Sequence, residues 1–185
     1  MKKLLLILLP ITLFLCSCGG GGSDELIPIE PIDTLNIEPI DTLNIEPFDT
    51  IYTYVPDNNF EIALIEMGVD NTLNDTVLTA AIDTITYLNL YNKNISDLTG
   101  IENFTALTIF KCWVNELTSL DLSKNTALTY LSCVGNQLTS LNLSQNTALD
   151  SLSCSDNQLT SLDVSQNTAL TYLRCSENQL TNLIV

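Results

Sequence analysis

The sequence predicts a β-rich solenoid. Short parallel strands stack coil upon coil, entered through a small helical cap and preceded by a disordered stalk. Two observations carry that expectation. From Phe110 onward the chain repeats every 21 residues, with Cys112, Cys133, Cys154 and Cys175 in one register and Asn115, Asn136, Asn157 and Asn178 in another. Inside each unit apolar and polar residues alternate over short stretches, as in Leu131-Ser132-Cys133 and Leu141-Asn142-Leu143. Alternation of period two marks a half-buried strand, and a fixed period of roughly 20 to 50 residues marks stacked supersecondary units.

Four segments follow from changes in composition: 1–17, 18–54, 55–84 and 85–185. The first opens with Lys2 and Lys3, followed by the apolar run Leu4 to Leu15, broken by Pro10. That run is shorter than the roughly 20 residues a membrane helix needs, so it reads as a signal peptide. Leu15-Cys16-Ser17-Cys18 is similar to the lipobox of bacterial lipoproteins, with Leu at −3 and a small residue at −1. The resemblance implies that Cys18 becomes the lipid-bearing N-terminus. Gly19 to Gly22 and then Ser23-Asp24-Glu25 resemble the export signal of surface lipoproteins in some Gram-negative bacteria. The implied location is the outer membrane, lipid-anchored at the cell surface, with its periplasmic face as the alternative. Cleavage leaves four basic residues against 22 acidic ones, a net charge of −18. Such a balance repels phosphate backbones, so nucleic acid is excluded as a partner, and the membrane is met only through the anchor.

The segment 18–54 is the stalk. Ile29-Glu-Pro-Ile-Asp-Thr-Leu-Asn36 recurs from Ile37 and, degenerating, from Ile45, a period of eight. Pro31, Pro39 and Pro47 together with regular acids disfavour a core and favour an extended chain. At about 3.1 Å per residue it would hold a domain up to roughly 100 Å from the membrane. Asp33-Thr34-Leu35, Asp41-Thr42-Leu43 and Asp49-Thr50-Ile51 are similar to an O-glycosylation acceptor of one group of Gram-negative bacteria. Thr34, Thr42 and Thr50 are therefore candidate acceptors, and a duplicated spacer is the plain alternative.

Residues 55–84 predict an N-terminal cap. Pro56 near a helix start, Phe60, Ala63, Leu64 and Met67 at helical spacing, and Gly68 as a stop together describe a short amphipathic helix. Terminal units of a stacked array need such a cover.

Within 85–185, Leu138-x-x-Leu141-x-Leu143-x-x-Asn146 and Leu149-x-x-Leu152-x-Cys154-x-x-Asn157 are two half-patterns nested in one unit. They resemble the LxxLxLxxN signature of the leucine-rich repeat family, in its short bacterial form. The cap and first coil look like those of internalin-type bacterial surface proteins. With two strands and two turns in 21 residues there is no room for a convex helix, so two parallel sheets are expected, one per half-unit. The Asn side chains are expected to bond backbone groups of neighbouring coils. Lys93 occupies that slot in the first coil, where the ladder is in question.

Catalysis finds little to work with. The chain has no His, which removes Ser-His-Asp and Cys-His pairs and His-based metal sites. No glycine-rich phosphate loop follows a strand, and no cofactor is expected. The cysteine ladder would span about 14 Å at about 4.8 Å per coil, too far to surround one zinc at about 2.3 Å. It reads as a row of small buried hydrophobes. Asp70 to Asp75 lacks the Gly and distal Glu of a calcium loop and reads as structural. No metal site is expected.

The two faces differ. Outward residues of the Leu-x-Leu side are nearly uniform, such as Ser119, Asp121 and Ser123 beside Ser161, Asp163 and Ser165. On the Leu-x-Cys side they vary, and Tyr87, Tyr91, Ile109, Trp113, Tyr130 and Val134 predict an exposed apolar patch. With Lys111, Tyr172 and Arg174 they are the candidate ligand-binding residues. The expected role is binding of a protein or glycan in adhesion or recognition, without enzymatic activity. The alternative is a structural spacer or a truncated piece of a larger repeat protein. The final residues Leu183-Ile184-Val185 carry no polar cap, which predicts either truncation or end-to-end self-association.

Overall fold

The computed structural model describes residues 50–185. The signal segment, Cys18, Thr34, Thr42 and most of the stalk lie outside the described residues. Thr50 lies just inside them and is exposed.

The cap is larger than its helix. Strand β1 (Tyr52–Tyr54) pairs antiparallel with β2 (Thr76–Leu78), in register Tyr52 with Leu78. Residues 52–54 had been expected to end the stalk. Their three-residue alternation buries Thr53, whose hydroxyl bonds that of Thr79 at 2.8 Å. Helix α1 (Asn58–Glu66) starts two residues later than expected: Asp57 is its N-cap and Asn58, not Pro56, its first residue. Asp57 Oδ1 accepts from the N–H groups of Asn59 and Phe60 at 2.9 and 3.0 Å. Gly68, at φ +75°, ends the helix. The Gly68 N–H donates to the Ile65 carbonyl and the Val69 N–H to that of Leu64, the paired bonds of a left-handed C-terminal stop. Phe60, Ala63 and Leu64 are buried as expected, whereas Met67 lies past the last turn and is 43 % exposed.

Glu61 is fully buried in that helix. Its carboxylate accepts the backbone N–H groups of Asn74, Asp75 and Thr76 at 2.8, 3.1 and 3.3 Å. The acidic stretch Asp70 to Asp75 is thus a loop folded onto a carboxylate. A short helix α2 (Thr79–Ile82) then leads into the solenoid.

Five coils follow. Strands β3 (Tyr87–Asn89), β4 (Ile109–Lys111), β5 (Tyr130–Ser132), β6 (Ser151–Ser153) and β8 (Tyr172–Arg174) form one parallel sheet. Its register is exact in the repeat: Leu88, Phe110, Leu131, Leu152 and Leu173 lie in one row. The expected second sheet is present only in part, as β7 (Ser161–Asp163) paired with β9 (Asn182–Ile184). In earlier coils Leu120, Leu122, Leu141 and Leu143 are buried without forming strands. Alternation reports which side chains point inward. It does not require the backbone to pair.

Two ladders of buried asparagine tie coil to coil. Asn136 donates to the carbonyls of Cys112 and Cys133, both at 3.0 Å, and its Oδ1 accepts the Leu117 N–H at 3.1 Å. Asn157 repeats this one coil later, with Cys133, Cys154 and Leu138. On the other side Asn146 donates to the carbonyls of Leu122 and Asn125 at 3.0 and 2.9 Å. The Oδ1 atoms of Asn125, Asn146 and Asn167 are buried with no hydrogen-bond partner. The first ladder begins at Asn115, whose Oδ1 accepts the N–H groups of Lys93 and Ile95. Lys93 supplies no rung; its ammonium pairs instead with Glu66 of α1.

The cap docks through one carboxylate. While Oδ1 of Asp57 caps α1, its Oδ2 accepts from the N–H and hydroxyl of Ser96 and the N–H of Asp97, at 2.8, 2.9 and 3.0 Å. Phe60 and Phe104 pack alongside, ring centroids 6.1 Å apart. At Gly100, φ +103°, an added Cβ would stand 2.8 Å from the Tyr54 carbonyl, so β1 lies on a turn that only glycine admits.

Asn136→Ala is expected to cost about 3 kcal/mol or more, because it leaves donors and acceptors of two coils unpaired. Asn146→Ala is expected to cost less, about 1–2 kcal/mol, since it also removes an unpartnered buried oxygen. Chemical denaturation of the two variants measures the difference; equal losses would contradict the unequal satisfaction of the ladders. For Asp57, partial burial pushes the carboxyl upward, but hydrogen bonds from Ser96, Phe60 and Asp97 outweigh it and hold it below the usual range. Its contribution is therefore present above the ordinary carboxylate pKa and is lost as pH falls through the lower folded value. Asp57→Ala is expected to destabilise the fold by about 2 kcal/mol at neutral pH and to shrink that loss in acid, read by thermal melts across pH.

Candidate ligand-binding face

The five-stranded sheet presents three outward rows. The central one runs Asn89, Lys111, Ser132, Ser153, Arg174, as the strand register dictates. A flanking row runs Tyr87, Ile109, Tyr130, Ser151, Tyr172. The other flank continues past the strand ends through Tyr91, Trp113, Val134, Ser155 and Ser176, by the repeat.

Side chains on the first rungs are organised pairwise. Tyr91 and Trp113 stack with centroids 4.0 Å apart and planes 24° from parallel. The Lys111 ammonium lies between two rings, 5.3 Å from the centroid of Tyr87 and 5.7 Å from that of Tyr130. Such cation–π contacts hold a charged head over the sheet without an acid partner. Lys111, Trp113, Tyr130, Tyr172 and Arg174 then line one open groove of about 540 Å³, floored by Ser132 and Ser153.

All nine candidate residues lie on this face, though not equally. Tyr87, Tyr91, Trp113 and Tyr172 are exposed, by 47, 44, 37 and 51 %. Ile109, Tyr130 and Val134, expected to be exposed, are half-buried, because each is flanked by neighbours on both adjoining coils. Tyr87, Tyr91 and Ile109 lie outside the groove lining. Ser132 and Ser155, which belong to the same outward rows, are buried. Small side chains between large ones sink to the floor of a concave surface. The serine floor was therefore missed, although its signal, small residues between bulky rows, stands in the sequence.

After each Leu-x-Cys or equivalent strand the chain turns through a left-handed residue: Asn92, Val114, Gly135, Asp156 and Glu177 have φ of 51, 56, 66, 54 and 52°. Val114 is the strained one, since a β-branched side chain disfavours that region. It directly follows Trp113 and is 42 % exposed.

The opposite face has a structural cause for its uniformity. The side chains of Asp121, Asn142 and Asp163 accept the N–H groups of Ser123, Ser144 and Ser165 at 2.9, 3.0 and 2.9 Å. Each is a turn that needs a short acceptor at that position. The Ser123 N–H lowers the Asp121 carboxyl, and the Ser165 hydroxyl lowers that of Asp163.

Cys112, Cys133, Cys154 and Cys175 are free thiols, the first three buried and the last half-buried. Burial raises the Cys112 thiol; burial and then the neighbouring thiols raise Cys133; burial first, with Cys175, pushes Cys154 up to about 12. Buried and protonated, Cys112, Cys133 and Cys154 pack as core. Among the described residues no cluster of three or more His, Cys, Asp or Glu is placed to hold a metal ion.

A narrow parallel-strand coil with in-register Asn and Cys ladders, closed by a helical cap, is a leucine-rich repeat solenoid of internalin-like architecture. No family model matches the sequence. Internalin J of Listeria monocytogenes is 42 % identical over 75 residues, which cover 39 % of this chain and 8 % of that protein. A solved structure described as the functional domain of InlJ from Listeria monocytogenes, including a cysteine ladder, superposes with a TM-score of 0.65 at 43 % identity. It covers 71 % of this chain and 30 % of that one. An internalin (InlF) from Listeria monocytogenes matches with a TM-score of 0.57 at 21 % identity, over 72 % of this chain and 48 % of that one, a likeness of fold. The chain thus spans less than a third of the InlJ structure it matches and less than a tenth of internalin J.

Alkylation of the native fold with iodoacetamide is expected to label Cys175 well before Cys112, Cys133 and Cys154, since only the thiolate of an accessible cysteine reacts. Peptide mapping by mass spectrometry reads the order; rapid labelling of all four would contradict the buried ladder.

Proposed function

We propose that this chain is a lipid-anchored bacterial surface protein that binds a protein or glycan partner through the outward face of its five-stranded sheet. The observation that carries this reading is the groove beside the Tyr91–Trp113 stack, where exposed rings and two cations share one concave surface. Rings exposed on a rigid sheet lose little entropy on contact, which is why aromatic residues and Arg dominate binding hot spots. The likeness to internalins supports a role at the cell surface. The lipobox-like Leu15 to Cys18 supports an anchor at Cys18, and the acidic repeats support a stalk that lifts the solenoid away from the membrane. Binding rather than catalysis fits a chain without His in which three of the four ladder thiols are buried.

The test compares the full chain with its Trp113→Ala/Tyr130→Ala variant as bait, crosslinked to intact cells and their surface fractions. Trp113 is exposed and Tyr130 half-buried, both outside the core, so circular dichroism is expected to be unchanged. Loss of the specifically captured partner, by roughly 2 kcal/mol or more, is the expected result. Undiminished capture removes this face from consideration and leaves a spacer role.

A further inference from the structure

The charge on this face is opposite to that of the chain. The sequence carries 22 acidic residues and a net charge of −16, yet none of the outward rows holds an Asp or Glu, and the central row holds Lys111 and Arg174. Neither cation has a carboxylate partner among the described residues, where the recorded ion pair is Lys93 with Glu66. The groove also carries the hydroxyls of Tyr130, Tyr172, Ser132, Ser151 and Ser153, with Trp113 and Val134 as its apolar lining. Each hydroxyl can donate a hydrogen bond, and the two cationic head groups are donors only. A surface of donors and unpaired cations, set in an acidic protein, is complementary to an anion.

Ring geometry narrows the class. A sugar that stacks on an aromatic residue needs an open ring face. Here Tyr91 and Trp113 face each other at 4.0 Å, and Lys111 lies against Tyr87 and Tyr130. Each of these four rings thus has one face already engaged, whereas the two cations are not neutralised by an acid among the described residues. That favours carboxylates over a sugar ring.

Spacing gives the form of the ligand. Lys111 and Arg174 are three strands apart in one row, with Ser132 and Ser153 between them. Three steps of about 4.8 Å place them about 14 Å apart. An extended peptide advances about 3.4 Å per residue and returns to the same face every second residue, so positions i and i+4 reach both cations from one side. Resting on the reading that this face binds, we propose that its ligand is an extended acidic peptide with carboxylates at i and i+4 and a small residue at i+2 over the serine floor.

Trp113 is the single tryptophan of the chain, so intrinsic fluorescence reports from this groove. The full chain in detergent is titrated with Glu-Ser-Ala-Ser-Glu flanked by glycines, with its Gln analogue, with versions spaced i+3 and i+5, and with a uronic-acid tetrasaccharide. The i+4 peptide is expected to shift the Trp113 emission saturably and most tightly of the set, and to weaken as salt rises. Lys111→Gln and Arg174→Gln are each expected to weaken it about three- to tenfold. Equal binding of all spacings, indifference to both substitutions, preference for the tetrasaccharide, or no response to any probe overturns the proposal. The broader reading is judged separately: if the Trp113→Ala/Tyr130→Ala variant loses its cellular partner while the peptide series fails, the face binds and its acid preference does not exist.

Discussion

The buried asparagine amide is the interaction on which this fold turns. A coil of 21 residues is too thin to bury its own backbone, because both of its flat sides are open. Ordering its backbone costs on the order of 1–2 kcal/mol per residue, more than its inward leucines return alone. The turns compound the problem by directing carbonyls and N–H groups inward. Asn136 answers it by joining the Cys112 and Cys133 carbonyls to the Leu117 N–H, groups of two successive coils. Asn115, Asn157 and Asn178 do the same along the stack. Repetition is thus a physical requirement, since each rung is complete only when its neighbour is present.

The same requirement explains the cap. The first coil has Lys93 in place of an asparagine, so the ladder stops there and another device must close the stack. Asp57 supplies it, joining the helix N-terminus to the Ser96–Asp97 turn with both oxygens of one carboxylate. Glu61 holds the returning loop in the same manner. Two acids, each collecting backbone donors, fix the entrance to an apolar column that would otherwise be open. A stack fixed at that end is stiff enough to carry a shaped surface, and the rows from Tyr87 to Arg174 owe their spacing to it.

What could be read from the sequence was what the repeat imposes. Cysteine and asparagine recur in fixed register, so their burial, the parallel strands and the outward rows followed directly. What could not be read depends on contacts outside the repeat. Nothing local marks Glu61 as buried, because its partners lie across a loop at Asn74 to Thr76. Tyr52–Tyr54 is too short to declare itself a strand without Thr76–Leu78 beside it. Met67 fitted the helical spacing, yet the helix had already ended. The pairing of Tyr91 with Trp113 needed three dimensions, although both residues were recognisable as members of one face.

Native-state hydrogen exchange followed by mass spectrometry tests most directly whether coils are stable only through their neighbours. If they are, amides bonded to asparagine oxygens in the interior, those of Leu117 and Leu138, exchange only with unfolding of the whole stack. Protection should then fall toward the last coil, where Asn182–Ile184 has a neighbour on one side alone. Independent exchange of each coil, with no gradient and no common slow limit, would show coils stable by themselves and contradict this picture.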